Sequence, residues 1–487
     1  MQSGEFSLAA ERHAAYHRDL FEQAEPEWEV RPTNELHADY TWRLDNVRAA
    51  LEWAFSREGE ASVGVELVTA VIPLWTQLSS FDECRRRAGQ ALSALANSGK
   101  ADTRREMKLQ GGLGSALAHA GGTPDEAKIA WRRALDLARS IGDVEHQLRS
   151  LWGLWLVEVH GALDVAQQFC DVATAPADQL VGQRMMANSL HFGGNQNAAR
   201  RHVERIVGNG ISHHSASSVA RFQLDEREGV QVILARVLWL QGFPEQAMQA
   251  ATRAVEQARA AGHAYSLCHA IARAACPIAL WTGDLDTARH YSQVLSYESA
   301  KHALVYWQGW AACYEALLVI QHGDAVRGVD LLRTAFDKLC ATNQWDRIFL
   351  VLAQLASALG SCGRIEEGLA AIDGSIDRAG RTAERWIRPE LLRRKGELLK
   401  LRHAPGALVQ SEAMFREALE EASRQGALFW ELRAAISLAG LLQELGHARE
   451  AAAVLRPVYD RFTEGFDTVD MKAAHALLEG LSSNHSS

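Results

Sequence analysis

The sequence predicts an all-α fold, a solenoid built from about ten antiparallel helix hairpins. Only 10 prolines occur in 487 residues, and apolar residues recur three and four positions apart along alanine-rich stretches, which is the helical period. No convincing run shows the alternating pattern of a strand. A turn glycine also recurs about every 40 residues, and a fixed period of this length is typical of stacked helical repeats.

The repeat is clearest where VILARVLWL is followed by QGFP and then by EQAMQAATRAVEQARAAG. The turn residue Gly242 precedes Ala247, Ala251 and Ala254, and small residues at these steps allow two antiparallel helices to approach closely. The turns at Gly242, Gly283, Gly323 and Gly363 follow one another at steps of 41, 40 and 40 residues. The same spacing follows Gly122, Gly194, Gly283, Gly323, Gly363 and Gly446, and a further hairpin carries Ser411, Phe415 and Ala418.

Two segments depart from the period. Residues 1–60 contain Pro26 and Pro32 and read as a helical lead-in, so we place the repeat solenoid at 61–487. The step from Gly194 to Gly242 is 48 residues, and the excess falls in VGNGISHHSASSVARF, which predicts an inserted loop near 207–222. Its histidines, His213 and His214, are the types that bind a metal or sense pH, although solvated loop histidines are the commoner case.

The spacing of glycine and alanine resembles the tetratricopeptide repeat in its longer-helix form. That resemblance implies a right-handed superhelix with an extended concave surface, because single hairpins cannot bury their apolar face alone. The first helices of the hairpins would line this surface. Projecting the repeat onto them predicts twelve groove residues: Trp155, Glu158, Arg184, Asn188, His191, Arg236, Trp239, Arg273, Trp310, Arg393, Glu397 and Lys400. Arginine and tryptophan are the residue types that most often anchor interfaces, although many of the tryptophans are expected to pack between repeats.

Composition and motifs argue against most chemical functions. The formal net charge is −9 with acids and bases interspersed, which predicts no direct binding of nucleic acid. Seven scattered cysteines without a C-x-x-C pair fit a reducing cytosol, and no apolar run reaches the length of a membrane span. The motifs G-x-S-x-G, H-E-x-x-H and the phosphate-binding loop are absent. We therefore expect a cytoplasmic protein with no catalytic residues, no metal and no cofactor.

The stretch SLCHAIARAACPIALWTGD, residues 266–284, tests this expectation because it concentrates reactive side chains. Cys268 and His269 point about 100° apart on a helix and Cys276 lies about 12 Å further along the axis, too far to share one zinc ion. We interpret the stretch as the first helix and turn of a hairpin, with packed thiols and a kink at Pro277. Arg273 is its one residue expected to face the groove for binding.

Longer stretches resemble a specific family, the large bacterial signal-transduction ATPase regulators of the STAND type. The resemblance rests on QGALFWELRAAISLAGLLQELGHAREAAAVLRPVYDRFTEGFDTVDMKAAHALLEGL, on SLCHAIARAACPIALWTGDL, on LARVLWLQGFPEQA and on LDNVRAALEWAF. Such proteins carry winged-helix or cyclase domains and an ATPase domain ahead of their repeats. The chain begins just before that junction, so the resemblance implies only the role of the repeat arm.

These observations predict a non-enzymatic module that binds a protein or peptide partner, with a small-molecule inducer as an open alternative. It would act as the sensor arm of a signal-transduction ATPase or transcriptional regulator, without contacting nucleic acid or membrane. A free-standing scaffold that bridges two proteins is the second interpretation, and an enzyme with its site in the groove is the third.

Overall fold

A computed structural model of the chain describes residues 2–28, 31, 33–78, 80–119, 122–158, 162–208, 221–222, 226–340, 348–382 and 384–483. Throughout these ranges the regular structure is helical, and no strand occurs in them. The all-α fold class predicted from the helical period is confirmed. The helices are arranged as stacked antiparallel hairpins, which is the predicted solenoid architecture.

Three helices precede the repeats: α1 (Gln2–Ala24), α2 (Thr33–Tyr40) and α3 (Leu44–Ala54). A 3₁₀ turn follows α1, and Pro26 is tolerated at its first positions because the N–H it lacks has no partner within the turn. Phe21, Trp28 and Tyr40 form an aromatic group that shares one core with the first hairpins. The predicted lead-in is therefore helical and packed onto the repeats, while its role as a junction from another domain stays a prediction.

Ten hairpins follow in the described part of the chain, as the turn spacing predicts. Each joins two helices through a short turn, and in the sixth hairpin the first helix consists of two segments. The helices are α4 (Ala61–Gln77), α5 (Phe81–Asn97), α6 (Thr103–His119), α7 (Pro124–Ser140), α8 (Val144–Val157), α9 (Ala162–Val172), α10 (Pro176–Phe192), α11 (Gln196–Gly208), α12 (Glu226–Leu240), α13 (Pro244–Ala261), α14 (Ala264–Ala270) with α15 (Cys276–Thr282), α16 (Leu285–Lys301), α17 (Val305–Gln321), α18 (Ala325–Cys340), α19 (Phe349–Ser361), α20 (Ile365–Arg381), α21 (Arg388–Leu401), α22 (Ala407–Gln425), α23 (Leu428–Glu444) and α24 (Ala448–Tyr459). The last described helix is α25 (Val469–Ser483).

The turn glycines adopt the conformation that the repeat needs. Gly242, Gly283 and Gly446 have φ values of 92°, 87° and 80°, a left-handed region in which a side chain is strained. The small residues that follow them face the partner helix, since Ala247 and Ala251 are completely buried. The sequence pattern therefore marks both the turn and the contact between its two helices.

The stretch around Cys276 departs from a regular helix one turn earlier than predicted. A π-helical turn, Ile271–Ala275, separates α14 from α15, just before Pro277. Proline has no N–H, so the carbonyl of Arg273 loses the donor it would have in an α-helix. That carbonyl instead accepts a hydrogen bond from Arg236 Nη1 at 3.1 Å. The predicted kink is present as this π-helical turn, a common way of absorbing an interrupted ladder.

The chain forms two compact units. The first comprises residues 1–182, 212–226 and 261–263, and the second comprises 183–211, 227–260 and 264–487. Most of the predicted inserted loop, including His213 and His214, lies outside the described residues. The described residues of this segment are helical, which corrects the predicted loop at those positions: Val207 and Gly208 end α11, and Arg221 and Phe222 form a helical pair. Arg221 and Phe222 belong to the first unit, and Phe222 is buried there.

Candidate functional site

The twelve predicted groove residues all lie on, or directly after, the first helices of hairpins. Arg184, Asn188 and His191 are on α10, and the remaining ones follow the same placement: Trp155 and Glu158 at the end of α8, Arg236 and Trp239 on α12, Arg273 in the π-helical turn, Trp310 on α17, and Arg393, Glu397 and Lys400 on α21. Ten of them belong to the second unit, where eight take part in four groups of contacting side chains, and Trp155 and Glu158 belong to the first.

The first cluster surrounds Arg236, which is buried and held from several sides. Its Nε donates to His191 Nε2 at 3.0 Å, and its guanidinium lies 4.6 Å from the centroid of the Trp386 ring. His191 is fully buried, and its Nδ1 lies 2.8 Å from Gln196 Oε1. Because Nε2 accepts a hydrogen bond from the Arg236 N–H, we assign the single imidazole proton to Nδ1, which donates to Gln196 Oε1, so this histidine is neutral.

The second cluster surrounds Arg273. Its Nη2 donates to the hydroxyl of Tyr306, and its guanidinium lies 4.5 Å from the Trp310 ring centroid. Tyr314, one turn further along α17, donates its hydroxyl to the carbonyl of Ala272. Arg273 and Trp310 therefore stabilise each other by a cation–π contact and join the π-helical turn to the next hairpin.

The third cluster joins the beginning of the second unit to its end. Trp239, which is fully buried, stacks on Phe429 of α23 with ring planes 5° apart and centroids separated by 4.8 Å. Trp281 and Trp430 pack against the same indole at 4.4 and 4.9 Å. Arg433 Nη2 donates to the carbonyl of Trp281 at 3.2 Å. Helices α12 and α15 thus contact α23 directly, although many repeats separate them in sequence.

A short C-terminal segment completes this closure. Residues 461–466, RFTEGF, form what we call the clasp. Oε1 of Glu464 accepts hydrogen bonds from the backbone N–H groups of Glu245 and Gln246 at 2.8 and 3.1 Å, in the first turn of α13. The Gly465 N–H returns a hydrogen bond to Glu245 Oε1 at 3.1 Å. The clasp satisfies N–H groups that have no partner within the helix, so it serves as a helix cap supplied from about 220 residues away.

The predicted groove residues are less exposed to solvent than the repeat pattern predicts. An open groove was expected, but Arg184, His191, Arg236, Trp239, Arg273 and Trp310 are all buried, with at most 6% of each exposed. Trp239, His191 and Arg236 are covered by aromatic residues of later hairpins, Phe429 and Trp386. Arg273 and Trp310 cover each other between neighbouring hairpins. The expected accessibility of these six side chains is therefore corrected, and any role for them in ligand binding stays a prediction.

A row of polar side chains on this inner side lies on α21, α23 and α25, buried at one end and open to solvent at the other. We call it the charged row and define it as Glu390, Arg393, Arg394, Glu397 and Lys400 of α21, Arg433, Ser437 and Glu444 of α23, and Asp470 of α25. Glu397 is 41% exposed and accepts a 2.6 Å hydrogen bond from Ser437. Lys400 is 28% exposed and lies 2.6 Å from Glu444. Three predicted residues, Arg393, Glu397 and Lys400, are brought together in this row.

Glu390 organises the buried end of the charged row. Its two carboxylate oxygens accept hydrogen bonds from Arg393 at 2.8 Å each, and Oε1 also accepts one from Arg394 at 2.7 Å. Burial alone would raise the pKa of Glu390, but the surrounding guanidinium charges hold it well below its usual range. Burial lowers the pKa of Arg394 despite its contact with Glu390. Glu390 therefore stays ionised, and its carboxylate holds the guanidinium groups of Arg393 and Arg394 in place.

In the first unit the two predicted residues take part in internal contacts. Trp155 is buried, with its ring centroid 5.1 Å from that of Trp152. Glu158 is half-buried and forms ion pairs with Lys128 at 3.1 Å and Arg132 at 3.8 Å. Neither joins the charged row of the second unit. Asn188 of the second unit is half-buried on α10 and also lies outside the charged row.

Several residues that form these clusters were not predicted from the sequence. Glu390 lies one turn before the predicted Arg393 on α21, so the helical period could have found it. Arg433 and Ser437 lie on α23, a first helix for which no groove residue was predicted, and projecting the repeat onto that helix could have found them. Trp386 could not be found in this way, because it lies in a 3₁₀ turn, Arg385–Ile387, outside the repeat spacing. Glu464 could not be found either, since its partners are far away in sequence.

The reactive side chains of the stretch 266–284 are used in packing. Cys268 and Cys276 are buried, and Cys276 Sγ contacts the carbonyl of Ala288 at 3.6 Å. His269 Nδ1 lies 2.8 Å from Glu228 Oε1. Across the described ranges, no group of three or more histidine, cysteine, aspartate or glutamate side chains is arranged to hold a metal ion. None of the described helices has the length and apolar content to cross a membrane.

Comparison with known proteins finds similarity only at the level of structure. No protein-family model matches the chain, and no curated protein does so. Similar solved structures include the APC/C hetero-tetramer Cut9–Hcn1 (13% identity, 90% of this chain and 81% of that one, TM-score 0.46). Others are Rap protein complexed with Competence and Sporulation Factor (11%, 91% and 99%, 0.38) and yeast Tom70 (12%, 99% and 97%, 0.34). Identities and TM-scores this low say nothing about function.

Proposed function

We propose that the chain is a non-enzymatic repeat module that binds a protein segment, and that the charged row of the second unit is its binding surface. The observation that carries this proposal is the row itself. It places four basic and four acidic side chains with a hydroxyl on the first helices α21 and α23 and on α25, and the end at Glu397 and Lys400 is open to solvent. Stacked repeats generally present such first-helix surfaces to their partners.

The balance of charges favours a peptide over a polyanion. Arg393, Lys400 and Arg433 offer donors, while Glu397 and Asp470 offer acceptors within the same row. An extended peptide supplies both N–H and C=O groups along its backbone and can match such a row. A nucleic acid would be repelled by the acidic half, since its binding depends on concentrated positive charge.

An array of short peptides read with purified protein tests this proposal. We expect the double variant Glu397→Ala/Lys400→Ala to lose signals that wild type gives. The matched control is Glu412→Ala/Arg416→Ala, which removes a partly exposed pair of opposite charges on the second helix α22. If the two variants give the same signals as wild type, the charged row is not the site. If wild type binds no peptide, the proposed binding of protein segments is wrong.

The proposal extends to a sensor arm of a bacterial signal-transduction ATPase or transcriptional regulator in the cytoplasm. Support for this comes from the resemblance of the stretches around LDNVRAALEWAF and RFTEGF to such proteins. A partner or small inducer would act by population shift, favouring one of two repeat arrangements. The DNA upstream of the gene is the decisive observation. Codons for a nucleotide-binding ATPase there would support the sensor arm, and their absence would favour a free-standing scaffold.

A further inference from the structure

Arg221 and Phe222, at the end of the inserted segment 207–222, are helical and are held in a recess of the first unit. Arg221 donates from Nε and Nη2 to the two oxygens of Glu145 at 2.8 and 2.5 Å, and from Nη1 to Asp178 Oδ1 at 2.6 Å. Phe222 is 99% buried, with its ring centroid 5.5 Å from Trp152 and 5.9 Å from Phe169. The guanidinium of Arg221 therefore occupies the acidic part of the recess, and the ring of Phe222 occupies its aromatic part.

The recess lies on the face that repeats use for recognition. Glu145 and Trp152 are on α8 and Asp178 is on α10, which are first helices, and Phe169 completes the wall from α9. Among the described residues the dipeptide lies outside the helices of the ten hairpins, and it comes from the segment that lengthens one repeat step to 48 residues. The hydrogen bonds of Arg221 and the ring contacts of Phe222 are made through side chains. The arrangement is that of a bound peptide, except that the peptide belongs to the same chain.

The chemistry of the recess specifies its occupant. Two carboxylates facing one guanidinium give a bidentate and a single hydrogen bond, a geometry that arginine satisfies and lysine does not. Burial would raise the pKa of Glu145, but hydrogen bonds from Arg221 and Arg149 hold it below its usual value, so it is ionised at neutral pH. The aromatic walls accept a ring at the next residue.

We propose that this recess is a binding site for partner segments in which arginine precedes an aromatic residue, and that the chain's own Arg221–Phe222 occupies it in the unbound protein. A partner binds by displacing the internal dipeptide, so the module is self-restrained. The internal dipeptide competes at an effective concentration on the order of millimolar, because it is tethered. The site is in the first unit and is independent of the charged row.

A labelled peptide of residues 217–226, SSVARFQLDE, tests the proposal by fluorescence anisotropy with the full chain. The variant Arg221→Ala/Phe222→Ala should bind this peptide at least about tenfold more tightly than wild type, because its recess is vacated. A peptide with alanine at both positions is the control and should not bind. Adding Glu145→Gln and Asp178→Asn to the variant should weaken binding by about tenfold or more.

Removing Phe222 leaves a buried cavity, so folding is checked by circular dichroism. If the alanine variant has lost helix, Arg221→Gln/Phe222→Leu replaces it, since leucine keeps apolar volume in the recess while weakening both contacts. The proposal is overturned if the folded variant fails to bind the peptide, binds the alanine control equally well, or binds no more tightly than wild type. The array experiment on the charged row can succeed or fail independently of these outcomes.

Discussion

Closure of the second unit depends on a glycine in the clasp that can be tested directly. Gly465 has a φ of 75°, and a Cβ added there would lie 2.1 Å from Cγ of Pro244. Alanine in this backbone region costs about 1–2 kcal/mol. Forcing a methyl group against the rigid proline ring adds about 1–3 kcal/mol. We therefore expect Gly465→Ala to lower the free energy of unfolding by about 2–5 kcal/mol.

A matched glycine separates the two contributions. Gly446 has a φ of 80°, but an added Cβ there meets no atom within 4 Å. Gly446→Ala should therefore lower the free energy of unfolding only by the cost of the left-handed backbone, about 1–2 kcal/mol. Urea unfolding followed by circular dichroism and tryptophan fluorescence measures both variants. If the clasp opens before the rest of the unit, the fluorescence transition moves to lower urea than the circular dichroism transition.

The contact with Pro244 can be isolated by a double-mutant cycle. Pro244→Ala removes Cγ and Cδ, the ring atoms closest to the added Cβ, so it should relieve part of the cost of Gly465→Ala. We expect a coupling energy of about 1–3 kcal/mol between the two substitutions. The reasoning is refuted if Gly465→Ala and Gly446→Ala cost the same and the coupling energy is zero within about 0.5 kcal/mol.

Three further outcomes follow from the same contacts. Glu464→Ala should destabilise the protein by about 1–2 kcal/mol in thermal or urea unfolding, because the first turn of α13 loses its cap. An effect no larger than that of the surface control Glu412→Ala would contradict the capping role. The pKa of Glu390 is lower in the folded protein than in the unfolded chain, so its contribution to stability is complete above the unfolded pKa of about 4.3 and is lost as the pH falls below it. The difference in unfolding free energy between wild type and Glu390→Gln should accordingly shrink as the pH is lowered from neutral toward 3, and a difference independent of pH would show that the carboxylate is not ionised. Burial raises the pKa of four cysteine thiols, to about 12 for three of them: Cys84, Cys268, Cys276 and Cys313. Iodoacetamide at pH 8 should therefore alkylate these cysteines only after the protein is unfolded, because the thiolate is the reactive form. Their rapid labelling in the native protein would contradict the packing.

Much of the local architecture is predictable from sequence because its causes are local. The helical period selects helices, and a left-handed glycine such as Gly242 ends one helix and starts the next. The spacing to Ala247 and Ala251 then identifies the pair of helices that pack together. These features involve residues a few turns apart, so the number of repeats and the placement of the twelve candidates on first helices could be predicted from the sequence.

The exposure of those candidates was decided by long-range contacts. Trp239 is buried because Phe429 stacks on it, and Glu464 caps a helix that begins 220 residues earlier. Each repeat step adds a small rotation, and only the accumulated rotation determines which early and late hairpins meet. No local pattern encodes that sum.

What the sequence determined by itself is the identity and order of the helices, the turns between them, and the absence of familiar catalytic motifs. The tertiary structure alone decided that Arg236 and Trp239 are buried and that the open polar surface lies at Glu397 and Lys400. The physical reason is that helices form through contacts within one or two turns, while burial depends on which distant surfaces close over a side chain.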